Sequence, residues 1–291
     1  MLTIDPKSTP QKDMHQYLLA SVAPRPIAFV STVDEEGNDN LAPYSFFNAF
    51  SSNPPIVVFS SNRRSDNNTT KDTLHNIELN KEAVINVVSH EIVRQMTLTS
   101  IDFEKNISEF DKGGFTPIPS DLVKPARVKE SPVQMECKIE QIIPLGDGPG
   151  AGHLIICHVV RMHINEKVLD DQKRIDINKI DLMGRMGRAF YVRASGDAVM
   201  PILQPFNAIG IGFDLLPKSI RNSTVLTGNE IAEIASLPAL PTQESVEAYW
   251  EENKLKGKFK NLEELHLFAK PLVMEKENAA KILMGVEYGL L

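Results

Sequence analysis

Cysteine and tryptophan are scarce in this sequence, with two and one respectively among 291 residues. Cys137 and Cys157 lack the spacing of a zinc site. Each sits in an apolar run, where a buried free thiol is the expected state. A disulfide-stapled exported fold is therefore not indicated. Positive charge is also short, with 31 Lys and Arg against 38 Asp and Glu. The net charge of −7 gives no support to nucleic-acid binding, and any phosphate-bearing ligand would need locally gathered positive charge. No apolar stretch approaches the ~20 residues that span a bilayer. The opening residues MLTIDPKSTPQK contain no basic region followed by an apolar run, so the expectation is a cytoplasmic protein with no membrane association. No Ser/His/Asp or paired-carboxylate arrangement stands out, which weighs against a hydrolase. What is present is ordinary for a globular chain: 42% hydrophobic and 24% charged residues, enough for one large core or two modest ones.

Three near-motifs fail on their context. Gly146-x-Gly148-x-x-Ala151 matches a dinucleotide fingerprint by letters, but that fingerprint needs a helix after the loop and a strand follows here. The loop reads as a hairpin connection. In Gly210-x-Gly212 the third glycine position is Leu215, and no phosphate-binding Gly-x-x-x-x-Gly-Lys-Ser/Thr run occurs. His153, His158 and His163 invite a metal reading. Strand side chains alternate faces, so His158 points away from the other two, and those two lie too far apart to share an ion. No metal site is expected.

Local patterns divide the chain into many short elements. Thr9-Pro10 opens a helix over 11–20, and Pro24-Arg25-Pro26 ends it and starts a strand over 27–33. The prolines restrict Arg25 on both sides, setting it either for a surface ion pair or for a ligand phosphate. Glu35-Glu36-Gly37-Asn38 is a hairpin turn. Strands follow at 83–88, 133–144, 153–164 and 189–193, with helical patterns at 90–98 and 176–183. Tyr191 either approaches a ligand or packs in the core. Residues 100–124 form a long aperiodic excursion, of the kind that covers a site or a partner. Beyond Ser195 the texture changes to proline-punctuated helical pieces at 230–235, 243–253, 262–269 and 275–284. Residues 236–242, with two prolines, are a linker candidate. This tail is expected either as a small helical subdomain or as a wrap.

The chain is organised around Leu41 to Asn76. Two apolar runs, 44–50 and 56–60, are joined by Asn53-Pro54-Pro55, a turn because proline cannot donate to a ladder. Ser45, Phe46, Phe47 and Asn48 set aromatic rings beside short polar groups. That mixture suits a planar heteroaromatic ligand, with ring faces for stacking and polar groups for its edges. Thr69 or Thr70 is a candidate N-cap for the helix that follows, placing Lys71, Asp72 and Thr73 in its first turn. Free amides, the helix dipole, a lysine and hydroxyls would seat a phosphate there.

Pro24-Arg25-Pro26-Ile27-Ala28, Ser31-Thr32-Val33, the run from Asn40 to Ala49 and Lys71-Asp72-Thr73-Leu74 together resemble the signature of the flavin reductase-like family. Ser131-Pro132-Val133, Glu136-Cys137, Leu145-Gly146-Asp147-Gly148 and Gly152-His153-Leu154 extend the likeness, which covers roughly residues 15 to 195. The resemblance implies a mostly β fold: an FMN-binding split barrel with peripheral helices over residues 1–200, followed by a helical C-terminal extension over 201–291. It also implies FMN as cofactor, a homodimer, and NADH or NADPH as electron donor. Electrons would then pass to oxygen, free flavin or a redox partner protein. On that reading Lys71 and Thr73 hold the phosphate with Thr69 and Thr70 in support. Asp72 is counted with the cofactor-binding residues of the same turn although its charge weighs against an anion, and Ser45, Phe46, Phe47 and Asn48 line the isoalloxazine. Ser31, Thr32, Ser60 and Ser61 join the phosphate or ribityl contacts, and no side chain need be an acid or base. Arg63 and Arg64 are the nearest basic pair for nicotinamide phosphates, or else a solvated loop. Two other readings stand beside this one. The first is an FMN electron carrier without nicotinamide turnover, and the second a non-catalytic binding module for a planar ligand such as haem.

Overall fold

The computed structural model describes residues 1–104, 107–202 and 210–291. The chain divides into two units, Met1–Met200 and Pro201–Leu291. No described helix is long and apolar enough to cross a membrane.

The first unit opens with α1 (Gln11–Ser21), then β1 (Ala28–Val33), β2 (Asp39–Tyr44), β3 (Phe47–Ser52) and β4 (Pro55–Asn62). Helix α2 (Asp72–Asn80) leads into β5 (Glu82–Val87), followed by α3 (Val93–Leu98), α4 (Glu109–Gly113), β6 (Pro117–Ile118) and β7 (Arg127–Val128). Two long strands come next, β8 (Val133–Pro144) and β9 (Gly152–Ile164), then α5 (Ile177–Ile180) and the hairpin β10 (Leu182–Arg185) and β11 (Tyr191–Ala194). Seven strands form one sheet in the order β2-β1-β5-β8-β9-β4-β3, and every pairing is antiparallel. Its two edge strands, β2 and β3, are consecutive in the chain and separated only by Ser45-Phe46. The sheet must therefore curl to bring its two edges together, and the Ser60 amide donating to the Phe46 carbonyl at 2.8 Å extends the β3–β4 ladder up to that turn. Register shifts in the β8–β9 pair at Glu136/Cys137 and Ile139/Gln141 supply the bends that curling requires.

Alternation fills the interior. Ala28 and Val30, Val57 and Phe59, Ala83 and Ile85, Met135, Cys137 and Ile139, and Ile155 and Cys157 share one buried cluster, each set spaced by two along its strand. Strand β1 is buried on both faces. Its second face is covered by Val93, Met96, Phe110, Phe115 and Val128. The excursion expected to cover a site or a partner thus contributes to the cover of a strand.

The second unit contains α6 (Lys218–Arg221), α7 (Gly228–Ala235), α8 (Gln243–Glu252), α9 (Leu262–Ala269) and α10 (Lys276–Met284). Thr227 and Glu230 form a capping box at α7, and Thr242 caps α8. These helices bury a core of their own that includes Leu216, Ile234, Val246, Trp250, Leu265 and Leu283. The tail thus has a helical core of its own. Residues 236–242 do not act as an interdomain linker: they join α7 to α8, with Leu237 in that core and its carbonyl accepting from the Ile211 amide at 2.9 Å.

Candidate functional site

The end of β2 places Tyr44 inside the curled sheet, its ring 5.1 Å from that of Phe59. Lys71 has an extended backbone just before α2, and no side chain caps that helix. The expected Thr69 or Thr70 cap is not made. Thr69 instead bonds to Asn67, and the Thr70 carbonyl accepts from Arg64 Nη1 at 2.6 Å. Lys71 Nζ lies 5.4 Å from the centre of the Tyr44 ring, and no described carboxylate reaches ion-pair distance of it. Burial lowers the Lys71 pKa, with the nearby Arg64 charge adding to the effect and Asp102 opposing it. Arg64 is the second cation here, paired to Asp102 at 3.2 Å.

Tyr44, Arg64, Lys71 and Thr73 line a small pocket of about 100 Å³ together with the carboxylates of Asp72, Asp102 and Glu109. Burial pushes the Tyr44 hydroxyl up to about 12. The Thr73 and Ser61 hydroxyls lie beside it, yet among the described residues neither Tyr44 Oη nor Ser61 Oγ has a partner at hydrogen-bond geometry. A buried hydroxyl left without a partner costs about 1–3 kcal/mol. The one on the pocket wall, Tyr44 Oη, stands with Lys71 and the Asp102-paired Arg64, donors that suit an oxyanion with several acceptor oxygens. A phosphate has that chemistry.

The second cavity is larger, about 390 Å³, and mainly apolar. Ser45, Phe46, Phe47, Asn48 and Ser60 all line it, together with Arg25, Phe50 and Leu154. Ser60 and Ser61 are neighbours that go to different places. Ser60 faces this cavity with its hydroxyl on Asn62 Oδ1 at 2.9 Å, while Ser61 is buried next to Tyr44, because successive strand residues face opposite sides. Gly152 makes room for Ser60: a Cβ on it would lie 2.5 Å from the Ser60 Oγ.

The candidates therefore fall into three groups. Lys71, Asp72 and Thr73 share the small polar pocket, and Ser45, Phe46, Phe47, Asn48 and Ser60 share the apolar cavity. Ser31, Thr32, Ser61 and Thr70 line neither. The expectation for Ser31 and Thr32 needs correction. Both are fully buried, Ser31 donating to the Ala126 carbonyl at 2.5 Å and Thr32 tied to Asn40 and Asn76. Their hydroxyls hold β1 to its cover. Arg63 is spent within its own loop on Asn68, so it is Arg64 that joins Lys71. Arg25 makes no surface ion pair either: it is buried and donates to the carbonyls of Leu19, Val22 and Met186. Tyr44 and Asp102 were not singled out from the sequence. Tyr44 stands at the even spacing of the inward residues of β2, a signal that was present, whereas Asp102 comes from the excursion and left none.

The three histidines of β9 do not converge. His153 Nδ1 is 3.2 Å from the Ser61 carbonyl, His158 Nδ1 3.2 Å from Glu140, and His163 Nε2 2.6 Å from the buried Glu136. Ligand-type atoms of Asp121, Glu136 and His163 do lie within 4.8 Å of one another. Glu136 already accepts the amides of Asp121 and Leu122, and Arg161 Nη1 holds Asp121 at 2.7 Å. That arrangement clasps the excursion to β8.

Comparison with known proteins agrees with this fold. Residues 20–178 match the model of the flavin reductase like domain. A protein of Aquifex aeolicus is 36% identical over 196 residues, covering 67% of this chain and 97% of its own. Nitrilotriacetate monooxygenase component B from Bacillus cereus is 34% identical, with 69% of this chain and 98% of that chain covered at a TM-score of 0.64. The Pseudomonas fluorescens 2-nitrobenzoate 2-nitroreductase NbaA is 29% identical, covering 72% of this chain and all (100%) of its own at a TM-score of 0.63. Taken with the curled antiparallel sheet, these matches show that the chain belongs to the flavin reductase-like family of split-barrel proteins.

Proposed function

We propose that this protein is an FMN-dependent oxidoreductase whose flavin is reduced by NADH or NADPH and then passes electrons to oxygen, free flavin or a partner protein. The observation that carries the reading is the small polar pocket that gathers Lys71, Arg64, Thr73 and the unpartnered Tyr44 hydroxyl, in the same unit as an apolar cavity edged by Ser45 and Asn48. Lys71, Arg64 and Thr73 would hold the single phosphate, which favours FMN over FAD. Phe46, Phe47 and Leu154 would exclude water from the ring, and Ser45, Asn48 and Ser60 would meet its polar edge. FMN held there would supply the redox chemistry as an acceptor of hydride. The residues of the chain bind, orient and desolvate, and none is assigned a proton transfer. Phe50 and Leu145, exposed beside the cavity, support pairing of two copies there as a homodimer.

Anaerobic stopped-flow tests the reading. Protein loaded with FMN should bleach faster than free FMN on mixing with NADH or NADPH. Bleaching no faster with either donor would replace it with the electron-carrier reading, and a failure to take up FMN would point to another planar ligand.

A further inference from the structure

The wall of the larger cavity includes Pro24 and Arg25, and Arg25 is joined to Arg185 of β10 by an antiparallel bridge. Each amide donates to the other's carbonyl, at 2.9 and 2.8 Å. Residues opposed in this way project their side chains to the same side, with Cβ atoms ~5 Å apart, and like charges so placed oppose each other. Among the described residues neither guanidinium has a carboxylate at ion-pair distance.

The two arginines differ in what they have left to offer. Arg25 is buried, and its Nη atoms are spent on the carbonyls of Leu19, Val22 and Met186. Its charge remains, and its pKa is lowered first by burial and then by Arg185. Arg185 lies 4.5 Å from the centre of the Tyr191 ring, its cross-strand partner in β11. Among the described residues its guanidinium donates to no acceptor. A guanidinium held over a ring keeps its N–H donors free, a setting suited to phosphate and carboxylate.

We propose that Arg185, stacked on Tyr191 and backed by the buried charge of Arg25, is an oxyanion subsite beside the larger cavity. It takes the phosphate or carboxylate of the molecule that exchanges electrons with the flavin. This rests on the flavin-binding reading of the cavity. Two sources share the chemistry: the pyrophosphate of a nicotinamide dinucleotide, and the carboxylate of an aromatic acid.

Calorimetry on the FMN-loaded protein separates them, using NAD⁺ against N-methylnicotinamide and benzoate against benzamide. The wild type should bind at least one charged probe more tightly than its phosphate-free or amide counterpart. Arg185→Gln should weaken that probe by ~10- to 100-fold, as expected for a lost charge-assisted bond, while leaving the counterpart and FMN itself unchanged. Tyr191→Leu, which removes the stacking face and keeps the charge, should produce a smaller loss in the same arm. No preference for either charged probe, or equal affinity in wild type and Arg185→Gln, would overturn the subsite. So would a loss in Arg185→Gln that extends to FMN while Tyr191→Leu binds every probe normally, since that marks a global disturbance. Protein that takes up no flavin would refute the functional reading alone. Inorganic pyrophosphate and benzoate titrated into the flavin-free protein would still test the arginines.

Discussion

Replacing Lys71 by methionine separates binding from folding at the small polar pocket. The ammonium lies over the Tyr44 ring, with no described carboxylate at ion-pair distance and with the Arg64 charge nearby. Burial comes first among the causes that lower its pKa. A lysine whose folded pKa is depressed binds fewer protons folded than unfolded as pH rises toward its ordinary value. The slope of stability with pH is then positive in that alkaline window, and below it the charged side chain carries a constant penalty. Methionine keeps the apolar stem and removes that penalty. The ligand-free Lys71→Met protein should therefore melt at or above the wild-type temperature and lose the alkaline slope. A charge-assisted hydrogen bond to phosphate contributes ~1.5–3 kcal/mol, so FMN affinity should fall roughly ten- to hundredfold. Riboflavin, which has no phosphate, should bind as before. Equilibrium dialysis with both flavins and a thermal melt without ligand are sufficient. Equal weakening of FMN and riboflavin, together with a lower melting temperature, would mean that Lys71 supports the fold and holds no phosphate.

Three further outcomes are expected. Trp250 is the only tryptophan and is buried in the helical unit, so its fluorescence reports that unit alone. Ser223 Oγ accepts the amides of Val225 and Leu226 and so directs its proton to His266 Nδ1 at 2.7 Å, leaving the buried Nε2 without a partner among the described residues. Burial lowers the His266 pKa. The unfolded chain binds the extra proton first, and the unit should lose urea resistance as pH falls below ~6.5; a His266→Asn unit with the same acid slope would exclude this histidine as its source. Gly285→Ala should destabilise the unit by ~1–3 kcal/mol as an overpacked site, because a Cβ there would lie 2.0 Å from Trp250 Cζ2, and an unchanged urea midpoint would show that the ring moves freely. Gly152→Ala, set against the Ser60 hydroxyl, should weaken FMN and riboflavin alike, in contrast to Lys71→Met, and dialysis with the two flavins distinguishes them.

Local chemistry alone determined most elements of this protein. Alternation marked β8 and β9 almost to the residue, since every second side chain must enter the core. Cap residues and 3.6-residue spacing located α7 to α10. The Asn53-Pro54-Pro55 turn and the mixed run from Ser45 to Asn48 were legible because proline and short polar groups act within a few residues of themselves. Tertiary structure decided which hydroxyls remain free. Ser31 and Thr32 resemble Ser60 in sequence, yet the Ala126 carbonyl takes the first hydroxyl and Asn40 and Asn76 enclose the second, while Ser60 keeps a cavity. Nothing near Arg25 announces that Arg185 lies opposite it, 160 positions along the chain. Nor does Lys71 announce Asp102 or Tyr44. Burial, charge pairing and orphaned hydrogen bonds are properties of what surrounds a side chain, and curling one sheet to bring its two edges together is what assembles those surroundings.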